Sequence, residues 1–299
     1  MRLRLGIKSD PVEYRYSYEW LFGLMRELSV GYLQLGSSFE FYQVEDRYFT
    51  RLRASAERHE VRITSCFTAH RELGGFFTGD PLLERVARRS YERWIEIAGI
   101  LGADYVGSNP GAVYRDRLDG KQDASERFLC HFQELMHLGA DAGLKGLTME
   151  PMSSRAEPPS LPDELTHYAA RVSAYHEAHP AETVPGYFCG DISHGVVDED
   201  RKVLHDHWEL FEQEILHMAE FHFKNTDELY HSTFGFGPHE QARGIVDLTE
   251  LSAILRRRNG DFPVPVVTGY LEIGGPKLGR DYSDPELQSQ ITSSVDAIR

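Results

Sequence analysis

Residues 184–191 read VPGYFCGD, and residues 206–217 read DHWELFEQEILH. The first is a short apolar, aromatic run of the kind that forms a buried strand, and it ends on a carboxylate. The second carries apolar residues at helical spacing. One such pair is common in any α/β protein, but here the pattern recurs from end to end. RLRLGIK (2–8) precedes YEWLFGLMREL (18–28), GYLQLGSS (31–38) precedes RYFTRLRASAERHE (47–60), and VRITSCFTAH (61–70) precedes PLLERVARRSYERWIEIAGILG (81–102). ADYVGSNPG (103–111), KGLTMEPM (145–152), MAEFHFKN (218–225) and VPVVTGYLEI (264–273) precede amphipathic runs at 125–143, 161–179, 248–258 and 285–298.

Alternation of this kind implies right-handed βαβ crossovers and a parallel sheet. Eight strand-then-helix pairs within 299 residues favour a closed (β/α)8 TIM barrel over an open doubly wound sheet. No linker, low-complexity segment or shift in composition divides the chain, so a single TIM-barrel domain spanning 1–299 is predicted. Two connections are long: RELGGFFTGD (71–80) after the third strand, and NTDELYHSTFGFGPHEQARGIVD (225–247) after the seventh. Loops of that length in a compact domain are usually binding loops or lids. GFG within the second would supply hinges and aromatic cover, or simply lengthen a surface excursion.

The chain carries 32 basic and 47 acidic residues, a net charge of −15 with histidine neutral. Such a field repels phosphate backbones and anionic membrane surfaces, which excludes nucleic acid and membrane as expected partners. Cys66, Cys130 and Cys189 are odd in number and form no CxxC pair, which points to a reducing compartment. No apolar run approaches the roughly 20 residues of a membrane span, and MRLRLGIKSD lacks a signal core. A cytoplasmic protein is expected.

In a barrel of this type the functional face lies at the carboxyl ends of the strands. Strand five ends LTMEP at Glu150, and strand six ends at Asp191 with His194 just beyond. Strand seven ends at His222 and Lys224, and strand eight at Glu272. Any one of these could be a helix cap, a loop anchor or a hydrogen-bonded rim residue. Together they are harder to explain that way, because clustered carboxylates raise one another's pKa unless a cation neutralises them. Three carboxylates and one imidazole form an oxygen-rich site suited to a divalent ion such as Mn²⁺, Mg²⁺ or Co²⁺, with Zn²⁺ also compatible. No thiolate lies among them, which argues against a structural zinc site.

LTMEP, CGDISH, EFHFKN and GYLEIGG at these strand ends resemble the xylose-isomerase-like barrel superfamily. The closer likeness is to its sugar phosphate isomerase/epimerase branch, which includes D-tagatose 3-epimerase and relatives acting on erythrulose phosphates. The resemblance covers essentially the whole chain. It implies that Glu150, Asp191, His222 and Glu272 bind the metal, and that Glu150 and Glu272 also exchange protons on opposite faces of a bound sugar. It further implies that His194 contacts substrate oxygens. One departure stands out: ketose 3-epimerases carry an arginine shortly after the strand-seven histidine, whereas HFKNTDEL has Lys224 and no arginine. The implied chemistry is proton abstraction beside a carbonyl with a divalent ion stabilising the enediolate. Returning the proton to the neighbouring carbon isomerises; returning it to the opposite face epimerises.

The loops after strands seven and eight hold Arg243, Lys277 and Arg280 among glycines, a pattern suited to a phosphate, unless these cations pair with Asp247, Asp281 or Asp284. His70 and Asn109 end strands three and four and are expected to border the sugar. In endonuclease IV, another superfamily member, those strands give histidines to a zinc cluster; only His70 has a counterpart here. GFGPHEQARG begins like a dinucleotide fingerprint but breaks after its second glycine, before no suitable helix. Trp20, Trp94 and Trp208 fall in helical patterns and are expected to pack. The expected function is therefore a metal-dependent isomerase or epimerase of a small ketose or ketose phosphate, erythrulose phosphate being one such tetrulose. The alternatives are a lyase or decarboxylase of a sugar acid on the same site, and a catalytically silent sugar-binding barrel. A homodimer or homotetramer is implied by resemblance only.

Overall fold

A computed structural model of the chain describes residues 1–36, 38–68 and 74–299. Eight parallel strands alternate with helices in the predicted order. They are β1 (Arg2–Lys8), β2 (Tyr32–Gly36), β3 (Arg62–Thr68), β4 (Tyr105–Ser108), β5 (Gly146–Met149), β6 (Gly186–Asp191), β7 (Met218–Phe223) and β8 (Val266–Leu271). The helices between and after them are α1 (Tyr18–Glu27), α2 (Asp46–Arg58), α3 (Pro81–Leu101) and α4 (Lys121–Asp141), then α5 (Pro162–Ala178), α6 (His207–Glu214), α7 (Leu248–Arg257) and α8 (Glu286–Ile298). The sheet closes on itself in the order β1-β8-β7-β6-β5-β4-β3-β2, a (β/α)8 barrel.

Helix starts follow from local chemistry. The Ser17, Asp80, Asp206 and Asp247 side chains each accept a backbone N–H from the first turn of α1, α3, α6 and α7, satisfying a donor the helix itself cannot. Gly102 ends α3 in the left-handed conformation at φ 70°.

Chain contacts group into two compact units, residues 1–35, 51–63 and 190–299 in the first, 36–50 and 64–189 in the second. The first buries Leu21, Phe22, Met25, Leu33, Phe211, Phe221, Ile254 and Ile291, and the second buries Tyr91, Trp94, Phe128, Phe132, Leu147 and Tyr168. Each such side chain contributes roughly 1.5–3 kcal/mol when fully withdrawn from water, so these helical faces have nowhere better to go than the sheet. Trp94 is buried as expected, while Trp20 is half-buried and stacks on Tyr16. All three cysteines are free thiols.

Two connections differ from expectation. Between β6 and α6, where no element is predicted, a short hairpin pairs Val196–Val197 with Val203–His205. The connection from 225 to 247 is not a hinged excursion. Asn225 and Phe234 exchange backbone hydrogen bonds of 2.9 and 2.7 Å. Asn225 Oδ1 accepts from Thr226 N and Val246 N, drawing both ends of the loop onto one side chain. Gly244 is required there, since a Cβ would meet the Asn225 amide at 2.2 Å. The glycines of GFG are pinned rather than free: Gly235 N and Gly237 N donate to the Glu240 carboxylate, and buried Phe236 donates its N–H to Ser294 Oγ at 2.8 Å. A single helical turn, Pro238–Gln241, does follow GFG, yet it is too short to seat a dinucleotide.

Candidate metal centre

Strand register decides which polar side chains meet. Ile7 pairs with Leu271 and Leu271 with Phe223, so the next residue on each strand, Lys8, Glu272 and Lys224, stands at one level. Side chains alternate along a strand, which puts Glu220, His222 and Lys224 on one face of β7, all buried. In the second unit Ser108 pairs with Met149, and Glu150 N donates to Ser108 O at 3.1 Å. Asn109 thereby lies beside Glu150 and donates to its Oε2 through Nδ2, which is also 3.0 Å from Met152 Sδ.

Asp191 ends β6 in a tight turn whose Ser193 donates to Oδ1 twice, from N at 2.8 Å and from Oγ at 2.7 Å. That leaves Oδ2 facing inward, 2.5 Å from Lys224 Nζ, 3.3 Å from His194 Nε2 and 3.9 Å from His222 Nδ1. Glu272 is divided in the same way. Its Oε1 accepts from Lys8 Nζ at 2.8 Å, and its Oε2 lies 3.1 Å from His222 Nδ1 and 3.5 Å from Lys224 Nζ. Lys8 also pairs with Asp10 Oδ2 at 3.0 Å. Lys224 Nζ is 3.0 Å from His194 Nε2, and an ammonium can only donate, so that nitrogen accepts.

Two protonation states follow. Burial pushes the Glu272 carboxyl up, but the ammonium charges of Lys224 and Lys8 outweigh it and hold the group well below the ordinary carboxylate value. His222 Nε2 is 2.8 Å from Gln34 Oε1, an acceptor, so Nε2 carries the hydrogen and Nδ1 presents its lone pair to Asp191 and Glu272.

Among the described residues, Glu150, Asp191, His222 and Glu272 form a group that could hold a metal ion, with candidate ligand atoms all within 4.8 Å of one another. The residues fit such an ion. Asp191 Oδ2 and Glu272 Oε2 are buried oxygens grouped around the Lys224 ammonium and the His222 ring, and three carboxylate oxygens with one neutral imidazole nitrogen suit a divalent cation.

The other predicted residues divide. His194 and Lys224 join Asp191 directly. Asn109 braces Glu150. His70 lies outside the described residues. Arg243, Lys277 and Arg280 have exposed side chains: Arg243 stacks on the Phe234 ring at 4.6 Å, and Arg280 donates to Gly279 O at 3.0 Å. Among the described residues none of the three touches the four-residue group, nor do they pair with the aspartates suggested for them; Asp247 caps α7 and Asp284 faces Arg15 at 3.9 Å. Sequence reasoning missed Lys8, Gln34 and Ser193. Two carried a signal: a lysine closing GIK, and a lone amide inside the apolar YLQLG.

No protein-family model matches the chain, and no curated protein sequence does either. Solved structures do. A protein of Rhodospirillum rubrum provisionally named a xylose isomerase superposes with a TM-score of 0.80 at 17% identity, over 99% of this chain and 98% of that one. D-psicose 3-epimerase from Clostridium cellulolyticum H10, solved with D-tagatose, gives 0.68 at 14%, over 99% of both chains. IolI protein with a bound zinc atom gives 0.69 at 12%, over 99% of this chain and 98% of that one. At these identities the likeness establishes the fold alone, a (β/α)8 barrel.

Proposed function

We propose that the chain is a metal-dependent isomerase or epimerase of a small ketose or ketose phosphate, acting as one catalytic domain over residues 1–299 in the cytoplasm. The observation that carries this reading is the four-residue group, in which the buried oxygens Asp191 Oδ2 and Glu272 Oε2 converge on the His222 ring. Glu150, Asp191, His222 and Glu272 would hold the ion. When bound, a divalent cation supplies Lewis-acid polarisation of a sugar carbonyl, which makes the adjacent C–H acidic.

The chain's own groups do the rest. Glu272, kept ionised by Lys224 and Lys8, is able to accept a proton at a carboxylate oxygen. Glu150, whose Oε2 is fixed by the neutral Asn109 amide, is the second carboxylate for proton return. Lys224 orients His194 by donating to Nε2, which leaves Nδ1–H to donate to a sugar oxygen. Arg243, Lys277 and Arg280 are the candidates for a terminal phosphate on the β7 and β8 loops. The supporting background is the shared barrel of D-psicose 3-epimerase and the zinc-containing IolI protein.

Exchange of the substrate α-hydrogen with solvent deuterium tests the assignment across a panel of tetrulose and pentulose sugars and their phosphates. Glu150→Gln and Glu272→Gln should each abolish exchange; undiminished exchange in both variants refutes the roles given. A lyase acting on a sugar acid is the second reading, favoured by two buried ammoniums, Lys8 and Lys224, beside the ligand group. Release of CO₂ from keto-acids would select it.

A further inference from the structure

We propose that Gln34 is a positioning residue for the ion, acting through His222; this rests on the reading of Glu150, Asp191, His222 and Glu272 as a metal centre. Gln34 sits in the middle of β2 and is fully buried, as is His222. An amide in the middle of an otherwise apolar strand costs free energy unless its polar atoms are used. Here Oε1 is used on one ring, His222, at 2.8 Å from Nε2.

A neutral imidazole has two tautomers, and only the nitrogen without hydrogen can bind a cation. Nδ1 is the nitrogen turned to the carboxylates, 3.1 Å from Glu272 Oε2 and 3.9 Å from Asp191 Oδ2. Left alone, the ring would gain by placing its hydrogen on Nδ1 and donating it to the ionised Glu272. That tautomer forms a good hydrogen bond and destroys the ligand. An acceptor on the far side reverses the preference, because a hydrogen on Nε2 is then satisfied and Nδ1 keeps its lone pair. Gln34 is that acceptor. It reaches His222 from a strand far away in sequence, so it also fixes the ring's plane.

The experiment has two readouts, one of which needs no metal. In histidine-labelled, metal-free protein, long-range ¹H–¹⁵N spectra report the His222 tautomer, its signals assigned by their loss in His222→Asn. The unsubstituted chain should show Nε2–H, and Gln34→Leu should shift the ring toward Nδ1–H. Calorimetric titration with Mn²⁺ should show binding about 10- to 100-fold weaker in Gln34→Leu. Gln34→Glu keeps an acceptor in place and should bind at least as tightly as the parent. Should Gln34→Leu fail to fold, Gln34→Met serves as the apolar variant. An unchanged tautomer with unchanged Mn²⁺ affinity in the apolar variant overturns the proposal. So does an equal loss of thermal stability in the Leu and Glu variants with affinity untouched, since that marks a packing role alone. Absence of saturable Mn²⁺ binding by the unsubstituted chain removes the metal reading itself, and this proposal with it.

Discussion

Gly195 follows His194 in the turn after β6, and its backbone lies outside the left-handed region, so glycine is not there for its φ. It is there for space. A Cβ at this position would lie 2.3 Å from Tyr230 Cζ and 2.4 Å from Cε2, well inside van der Waals contact. The ring has little room to retreat. The Tyr230 hydroxyl accepts the His207 backbone N–H, its ring stands 5.9 Å from that of His207, and its own backbone is left-handed at φ 58°. Overpacking of this kind costs about 1–3 kcal/mol. Gly195→Ala should therefore destabilise the protein by about 2 kcal/mol and, by disturbing the adjacent His194–Lys224 contact, weaken substrate binding. In a Tyr230→Ala background the methyl has somewhere to go, and the same substitution should cost less than about 0.5 kcal/mol. Urea unfolding of the four proteins measures the coupling directly. If Gly195→Ala costs the same with and without the ring, the clash is not the reason for the glycine.

Two further expectations follow from charge. Lys224→Met removes the ammonium shared by Asp191 and Glu272, and stranding buried carboxylates should cost about 3–5 kcal/mol; saturating Mn²⁺ should restore more stability to the variant than it adds to the parent, read as thermal midpoints, and a parent-like midpoint without metal would refute it. Burial lowers His207 and His217 below the ordinary histidine value of 6.5, Asp206 partly opposing the shift at His207. Between folded and unfolded values the unfolded chain binds more protons, so their contribution to stability is full above about pH 6.5 and is lost as pH falls toward the depressed folded values. Among the described residues the ring nitrogens of His207 have no hydrogen-bond partner to soften this. Unfolding free energies at pH 7.5 and 5.5 should differ less in His207→Asn/His217→Asn than in the parent, by up to about 1.4 kcal/mol per unit for each ring; equal slopes would contradict the assignment.

The barrel was legible because strand and helix periods repeat along the chain without interruption. Glu150, Asp191, His222 and Glu272 were legible for a related reason: each is an ionisable residue at or next to the carboxyl end of a strand-like run. Lys8 and Gln34 were not. Each sits at a place where a polar residue reads as a strand end or an outward position, and it is the pairing of β1 with β8 and of β2 with β1 that brings Lys8 to Glu272 and Gln34 to His222. Arg243, Lys277 and Arg280 are harder to place from sequence. Loop cations near a predicted site look like ligands for an anion, but a loop's path is set by contacts such as Arg243 on Phe234 that leave no trace in spacing. The GFG segment is ambiguous in its own way, since glycine permits motion but here admits the close approach of the Glu240 and Ser294 side chains.

The knot at Asn225 separates two evolutionary clocks. One amide gathers Thr226 and Val246, so everything between leaves and re-enters the barrel at a fixed stem directly after Lys224. Doubling the length of such a loop costs only about 0.6 kcal/mol in closure entropy. Descendants of this chain can therefore rewrite the excursion while His222 and Lys224, just ahead of the stem, stay in register.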